Sequence, residues 1–243
     1  MRVTVFNGSP RGRKSNSHLI VEPLLEGAKQ AGAETEEVFL VEKDIKHCRG
    51  CFACWGKTPG VCAIKDEMSG LLDLLLESDY AGMAAPVYGM YMPGLLKNFY
   101  DRFLPLATPH IHRNDDGSFY HKGRVKRFPR MFFIFNSGFP GGHNFELLKA
   151  FVEIVKRGGA ENVVLEIYRN CGEALDTPDD GLPEVVQRLA GFRGALKKAG
   201  SEMVANGRVS LETVEQLHVK LMTDEEYMAG ANEHWDQVIA ESE

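Results

Sequence analysis

The sequence predicts an α/β fold built on a doubly wound, five-stranded parallel sheet. Three observations carry this. Strand-like and helix-like segments alternate five times, the pattern of a parallel sheet covered by helices on both faces. Residues 80–85 form a short apolar run of the kind found in strands buried on both faces, and residues 130–135 read the same way. The length, 243 residues, suits one decorated domain or two small ones. Right-handed crossovers then leave only a few doubly wound topologies.

Residues 3–6 are a β-branched and aromatic run ended by the turn signal Asn7-Gly8-Ser9-Pro10. Leu19, Ile20, Leu24, Leu25 and Ala28 give residues 17–29 a helical period that stops at Ala31-Gly32. Pro23 interrupts it. An interior proline removes a hydrogen bond at a cost of about 3 kcal/mol, and nothing in the sequence compensates. Residues 35–40 predict a second strand. Asp66 reads as the N-cap of a helix to Leu76, and Pro93 as the first residue of a helix carrying Leu95, Leu96, Phe99 and Phe103. Residues 105–130 read as an insertion, a hairpin around Asp116-Gly117 followed by Lys122, Arg124, Lys126, Arg127 and Arg130. A helix at 145–156, a strand at 162–168 and a long helix at 183–206 complete the alternating units. Residues 1–206 are therefore expected to form the domain and 207–243 an acidic helical extension. Ser210 caps one of its helices, and Thr223 to Glu226 form a capping box for the other.

Composition narrows the function. Hydrophobic residues at 44% and charged residues at 26% are ordinary globular values and exclude disordered and low-complexity classes. A net charge of −6 argues against a nucleic-acid partner. No run reaches the ~18–20 apolar residues of a membrane span, and the first residues run straight into a strand with no signal-peptide core. We expect a cytoplasmic protein. There, cysteines serve more often as metal ligands or redox groups than as bridges.

In a doubly wound sheet ligands sit beyond the carboxyl ends of the strands. The first such loop, Gly8 to Ser17, offers hydroxyls, an amide and backbone N–H groups at a helix start, which together suit an anion. It matches neither G-x-x-x-x-G-K-[ST] nor G-x-G-x-x-G, so a phosphate monoester fits better than a triphosphate or a dinucleotide. The alternative is an ordinary polar turn with a serine or asparagine cap. The loop after strand three, Ala85 to Gly94, is apolar and aromatic and suits a flat ring. Residues 136–142 would close the other side.

These residues resemble the flavodoxin-like family of NADPH-dependent FMN reductases. The resemblance rests on Gly8-Ser9-Pro10-Arg11 with Ser15-Asn16-Ser17, on Ala85-Pro86-Val87-Tyr88, and on Leu95-Leu96-Lys97-Asn98-Phe99-Tyr100-Asp101-Arg102. It covers roughly residues 1–206. It implies a flavodoxin-like strand order of 2-1-3-4-5, counting the sheet strands only. It also implies FMN with its phosphate on Ser9, Arg11, Ser15, Asn16 and Ser17. The isoalloxazine would lie on Pro86, Val87, Tyr88, Gly89 and Met90 and near Ser137 and Gly138. NADPH or NADH would be the electron donor, with a small-molecule acceptor or redox protein as partner. A homodimer or larger oligomer is implied as well. No residue is assigned an acid–base role, because hydride transfer needs none.

Four of the 5 cysteines cluster as Cys48-x2-Cys51-x2-Cys54-x7-Cys62, and Cys171 stands alone. Soft thiolates in one loop suit an Fe–S cluster or zinc. The run of two-residue gaps is more typical of [4Fe–4S] than of zinc, which prefers separated pairs. Unliganded thiols, or a disulfide formed in air, are the remaining reading. The motif also resembles the compact cluster of iron–sulfur flavoproteins, which implies electron exchange between FMN and [4Fe–4S]. His112 and His121 are expected to face each other across the hairpin, where with His110 they would bind a metal, meet substrate or simply be solvated. His47 beside Cys48 and His143 beside the third loop are further candidates. The basic residues of the insertion match a nucleotide phosphate or, more simply, the acidic tail, within the chain or between subunits.

Overall fold

A computed structural model describes residues 1–242. In chain order the elements are β1 (Arg2–Asn7), α1 (Asn16–Gln30), β2 (Glu34–Phe39), α2 (Met68–Glu77), β3 (Tyr80–Pro86), α3 (Gly94–Asp101), β4 (Ala107–Arg113), β5 (Phe119–Gly123), β6 (Arg130–Asn136), α4 (Glu146–Lys156), β7 (Val163–Arg169), α5 (Pro183–Asn206), α6 (Leu211–Leu217) and α7 (Asp224–Ser242). Five strands form one parallel sheet in the order β2-β1-β3-β6-β7, which is the expected 2-1-3-4-5. β4 and β5 pair antiparallel outside it, as the hairpin pattern predicted.

The period-two alternation of strands divides the core. Val3, Val5, Phe132 and Ile134 face α1 and α5, while Phe6, Met83, Phe133 and Phe135 face α2, α3 and α4. α1 runs through Pro23 without a break. Its compensation is tertiary. Gly27 and Gly200 let α1 and α5 touch backbone to backbone, since a Cβ at Gly27 would lie 1.9 Å from the Lys197 carbonyl oxygen and one at Gly200 would lie 1.9 Å from that of Leu24.

Several local expectations shift. Pro93 is the N-cap of α3, with extended ψ, and not its first helical residue. Glu67 occupies the N-cap of α2. Asp66 still accepts the Met68 N–H at 3.2 Å, but its carboxylate is turned mainly to Arg102. The hairpin register pairs His112 with Tyr120 and His121 with Ile111. Neighbouring strand positions face opposite sides, so one residue of register separates the two histidines. The His112 ring lies 5.5 Å from Tyr120 and the His121 ring 4.9 Å from Trp55.

The extension docks on the α1–α5 side. Arg169, almost fully buried, stacks 4.0 Å over the Phe192 ring and donates to the carbonyls of Leu217 (2.5 Å) and Val219 (2.8 Å) at the end of α6. Burial lowers its pKa to about 10. The Tyr227 hydroxyl of α7 donates to Glu173. Ser210 caps α6, and the Thr223–Glu226 capping box forms in both directions. Among the described residues no acidic side chain of the tail pairs with the insertion's basic residues, and Arg130 meets the tail only at the Gly207 carbonyl where it begins. Arg127 pairs with Asp79, Arg124 donates to the Ala107 carbonyl, and Arg130 donates to the carbonyls of Gly207 and Glu161. No helix among the described residues is long and apolar enough to cross a membrane.

Candidate functional site

β1, β3 and β6 are neighbours in a parallel sheet, so the loops that follow them leave the same edge. In the first loop the Asn7 side-chain oxygen accepts the Ser9 N–H at 2.9 Å, which starts the turn. Gly8 is required by close approach, because a Cβ there would stand 2.6 Å from the Leu96 Cβ. The Ser15 hydroxyl caps α1 by accepting the His18 N–H at 3.1 Å. The Asn16 and Ser17 N–H groups, first in the helix, have no intrahelical acceptor. Ser9, Ser15, Asn16 and Ser17 are buried, and Arg11 is exposed at the rim.

The second loop makes a tight turn. Tyr88 and Tyr91 exchange backbone hydrogen bonds at 2.9 and 3.1 Å around Gly89 and Met90, both with positive φ. That is the two-residue turn of a hairpin, and Met90 accepts a left-handed conformation that glycine would adopt freely. Pro86 and Val87 are half-buried. Tyr88, Gly89 and Met90 are exposed.

Asn136 ties the three loops together. Its side-chain amide donates to the Ser17 hydroxyl at 2.7 Å and to the Ala85 carbonyl at 3.4 Å, and its own carbonyl accepts the Val87 N–H at 2.7 Å. In the third loop Ser137 is buried and its hydroxyl accepts the Phe139 N–H, while Gly138 is exposed beside the Glu173 carboxylate. Asn144, buried where this loop ends, keeps a side-chain N–H2 with no partner among the described residues. His143 lies exposed next to Gly141. The sequence placed Asn136 at the start of the third loop, but not as the residue that ties the loops together.

The cysteine loop is closed at its neck. The Lys46 N–H reaches Asp66 at 2.9 Å, the Asp44 N–H reaches Glu67 at 2.6 Å, and Asn98 donates to the Ile45 carbonyl at 2.7 Å. Trp55 donates its indole N–H to the Leu104 carbonyl at 2.9 Å, which fixes the loop against the start of the hairpin. Cys48, Cys51, Cys54 and Cys62 all line one small pocket with Arg102 and Leu104. All are free thiols. Cys51 is exposed, Cys48 and Cys62 are half-buried, and Cys54 is buried. Burial pushes the Cys54 thiol up, and the neighbouring Cys62, Cys51 and Cys48 push the same way. Among the described residues no three His, Cys, Asp or Glu side chains are drawn together as a ready-made metal site. Cys171 is buried elsewhere, and its pKa is raised to about 11 by burial and then by Asp224.

Arg102 lies beneath this pocket. Its side chain and that of Asp66 are each 1% exposed. The two form a bidentate pair at 2.7 and 3.0 Å, and Arg102 also donates to the Lys46 carbonyl and, at 3.5 Å, to the Cys62 sulfur. Its Nε has no partner among the described residues. Burial works to raise Asp66, but the hydrogen bonds from Arg102 and from the Lys46 and Met68 N–H groups prevail and hold it below its ordinary 3.8.

This is a doubly wound, flavodoxin-like sheet with three cross-tied loops on one edge and a four-thiol loop beside them. A family model for NADPH-dependent FMN reductase matches residues 1–122, and the chain belongs to that family. An iron-sulfur flavoprotein of Archaeoglobus fulgidus is 35% identical over 105 residues, covering 43% of this chain and 46% of the relative. One from Methanosarcina thermophila is 35% identical over 102 residues, covering 42% and 52%. The chain thus spans about half the length of the curated relatives it matches. Among solved structures, an FMN-dependent NADH-azoreductase from Bacillus anthracis aligns with a TM-score of 0.57 at 19% identity, over 84% of this chain and 99% of that one. An NAD(P)H:quinone oxidoreductase from Methanothermobacter marburgensis aligns at 0.52 and 13% identity, over 84% and 96%. At these identities the structures share the fold.

Proposed function

We propose that the protein is an FMN-dependent oxidoreductase. The observation that carries this is the Asn136 bridge, which holds the first, second and third loops in one fixed arrangement around a helix N-terminus. Ser9, Ser15, Asn16 and Ser17, with the free N–H groups that open α1, would hold the phosphate, and Arg11 would screen it from the rim. Pro86, Val87, Tyr88, Gly89 and Met90 would support one side of the ring, with Ser137 and Gly138 at its edge. The unpartnered Asn144 amide in the closing segment is a buried donor left for a polar ligand, which supports the fit. Bound FMN would supply the redox chemistry, taking a hydride from NADH or NADPH and passing electrons on, two to a quinone, a free flavin or a nitroaromatic, or one at a time to an Fe–S centre. The protein's own part is position, hydrogen bonding and access. A cytoplasmic homodimer or larger oligomer belongs to the same reading.

A second reading is an electron carrier between protein partners, with FMN and [4Fe–4S] and no direct use of nicotinamide. It is favoured by the four free thiols lining one pocket over a buried guanidinium, a donor set suited to a soft metal cluster. Cys48, Cys51, Cys54 and Cys62 would be the ligands. Anaerobic purification with iron and sulfide assays, followed by stopped-flow mixing with NADPH and NADH, separates the two. The oxidoreductase reading expects at least one nicotinamide to bleach the flavin within turnover time. If neither does while reduced ferredoxin does, the carrier reading replaces it. Less than about one iron per chain would remove the cluster from both.

A further inference from the structure

A buried carboxylate lies against the first loop, where an anion site has least use for one. Glu37 belongs to β2 and faces α1, as does its strand partner Val5. Its side chain is only 9% exposed. Burial raises its pKa above the ordinary 4.5, against the hydrogen bond from Asn7 and then the pull of His18. A carboxylate so placed competes with a phosphate for the positive end of α1 and repels it. Its charge works against the ligand assigned to that loop. What it offers instead is geometry.

Glu37 touches both ends of the loop. One carboxylate oxygen accepts the Asn7 side-chain N–H2 at 2.8 Å, and the other lies 2.7 Å from His18 Nδ1. An ionised carboxylate only accepts, so Nδ1 carries the hydrogen. Asn7 ends β1 and is fully buried, and its side-chain oxygen receives the Ser9 N–H. His18 stands in the first turn of α1, and its backbone N–H is the one that Ser15 caps. Residues 8–17 are thus pinned at their entry through Asn7 and at their exit through His18, by one side chain of the neighbouring strand. The entry pin also has a direction. An amide can turn either its oxygen or its N–H2 toward a neighbour. Glu37 is the acceptor of that N–H2 among the described residues, which leaves the oxygen for the Ser9 N–H.

We propose that Glu37 is a positioning residue for the phosphate: through Asn7 and His18 it holds the first loop and the start of α1 in the shape that receives a phosphate monoester. This role rests on the FMN reading above and names what sets its phosphate selectivity. Glu37 acts as a pair of acceptors and not through its charge.

Titrating the flavin-free full chain with FMN and with riboflavin, followed by flavin fluorescence, tests it. A general loosening of the fold would weaken both ligands, whereas a displaced phosphate loop weakens FMN alone. In the wild type FMN should bind more tightly than riboflavin. Glu37→Met, of similar length but without an acceptor, should cut that advantage about tenfold or more and leave riboflavin binding within about twofold. Glu37→Gln should keep the advantage. Its oxygen can accept from Asn7, its amide can donate to His18 once the ring carries its hydrogen on Nε2, and the repelling charge is gone. Asn7→Ala should also cut the advantage, and adding it to Glu37→Met should cost little more, because the two belong to one chain of contacts. Glu37→Ala takes the place of Glu37→Met if that variant does not fold. A wild type with equal affinity for the two flavins would overturn the FMN reading and this role with it. A wild type that prefers FMN would overturn the role of Glu37 alone if Glu37→Met kept the full preference, if Glu37→Gln were as impaired as Glu37→Met, or if riboflavin binding fell in step with FMN.

Discussion

At the scale of single residues, the strongest commitment in the molecule is the buried Arg102–Asp66 pair. Removing one partner of a buried, hydrogen-bonded pair leaves the other charge unsatisfied, at a cost of about 3–5 kcal/mol. Arg102→Leu should therefore lower the urea midpoint sharply. The pair also sets a pH dependence. Asp66 is held below 3.8, so its stabilising contribution is fully present above that value and is lost as pH falls through the lower folded-state value. In Arg102→Leu the acid limb of the stability profile should move to higher pH, which chemical denaturation between pH 2 and 6 would read. This pair was invisible in the sequence for a plain reason. Its partners are 36 positions apart, and Asp66 looked like a local helix cap. Where the partner is local, as in the Ser210 cap of α6 or Thr223 with Glu226, the sequence was enough to find it.

Among the elements, the α1–α5 contact explains how a helix with an interior proline survives. The two glycines at the crossing leave no room for a Cβ, so Gly27→Ala or Gly200→Ala must push the helices apart. Overpacking of this kind costs about 1–3 kcal/mol, and the shift should appear in thermal unfolding, whereas Gly191→Ala in α5, with open space around it, should be neutral or slightly stabilising. The order and type of the elements were legible because apolar periodicity reports directly on which face is buried. Ends and registers were not. Pro93 lay one place from its expected role, and one residue of hairpin register turned an apparent histidine pair to opposite faces.

For the molecule as a whole, the sheet separates two kinds of work. One edge gathers the loops of β1, β3 and β6, and the surfaces beyond it carry a cysteine loop, a basic hairpin and an acidic tail. The loop positions followed from topology alone, since doubly wound sheets bind ligands at the carboxyl ends of their strands. What fastens the loops to one another came only with the structure, because Asn136 reaches Ser17 across 119 positions of chain. The central claim is that the first loop holds a phosphate ester and the other two a flat ring. Titrating the flavin-free protein with FMN and with riboflavin, followed by flavin fluorescence, tests it most directly. FMN should bind at least about a hundredfold more tightly than riboflavin, and Ser15→Asp, which keeps a good helix cap but adds a charge, should remove that advantage. Equal affinity for FMN and riboflavin, or unchanged FMN binding by Ser15→Asp, would contradict the account.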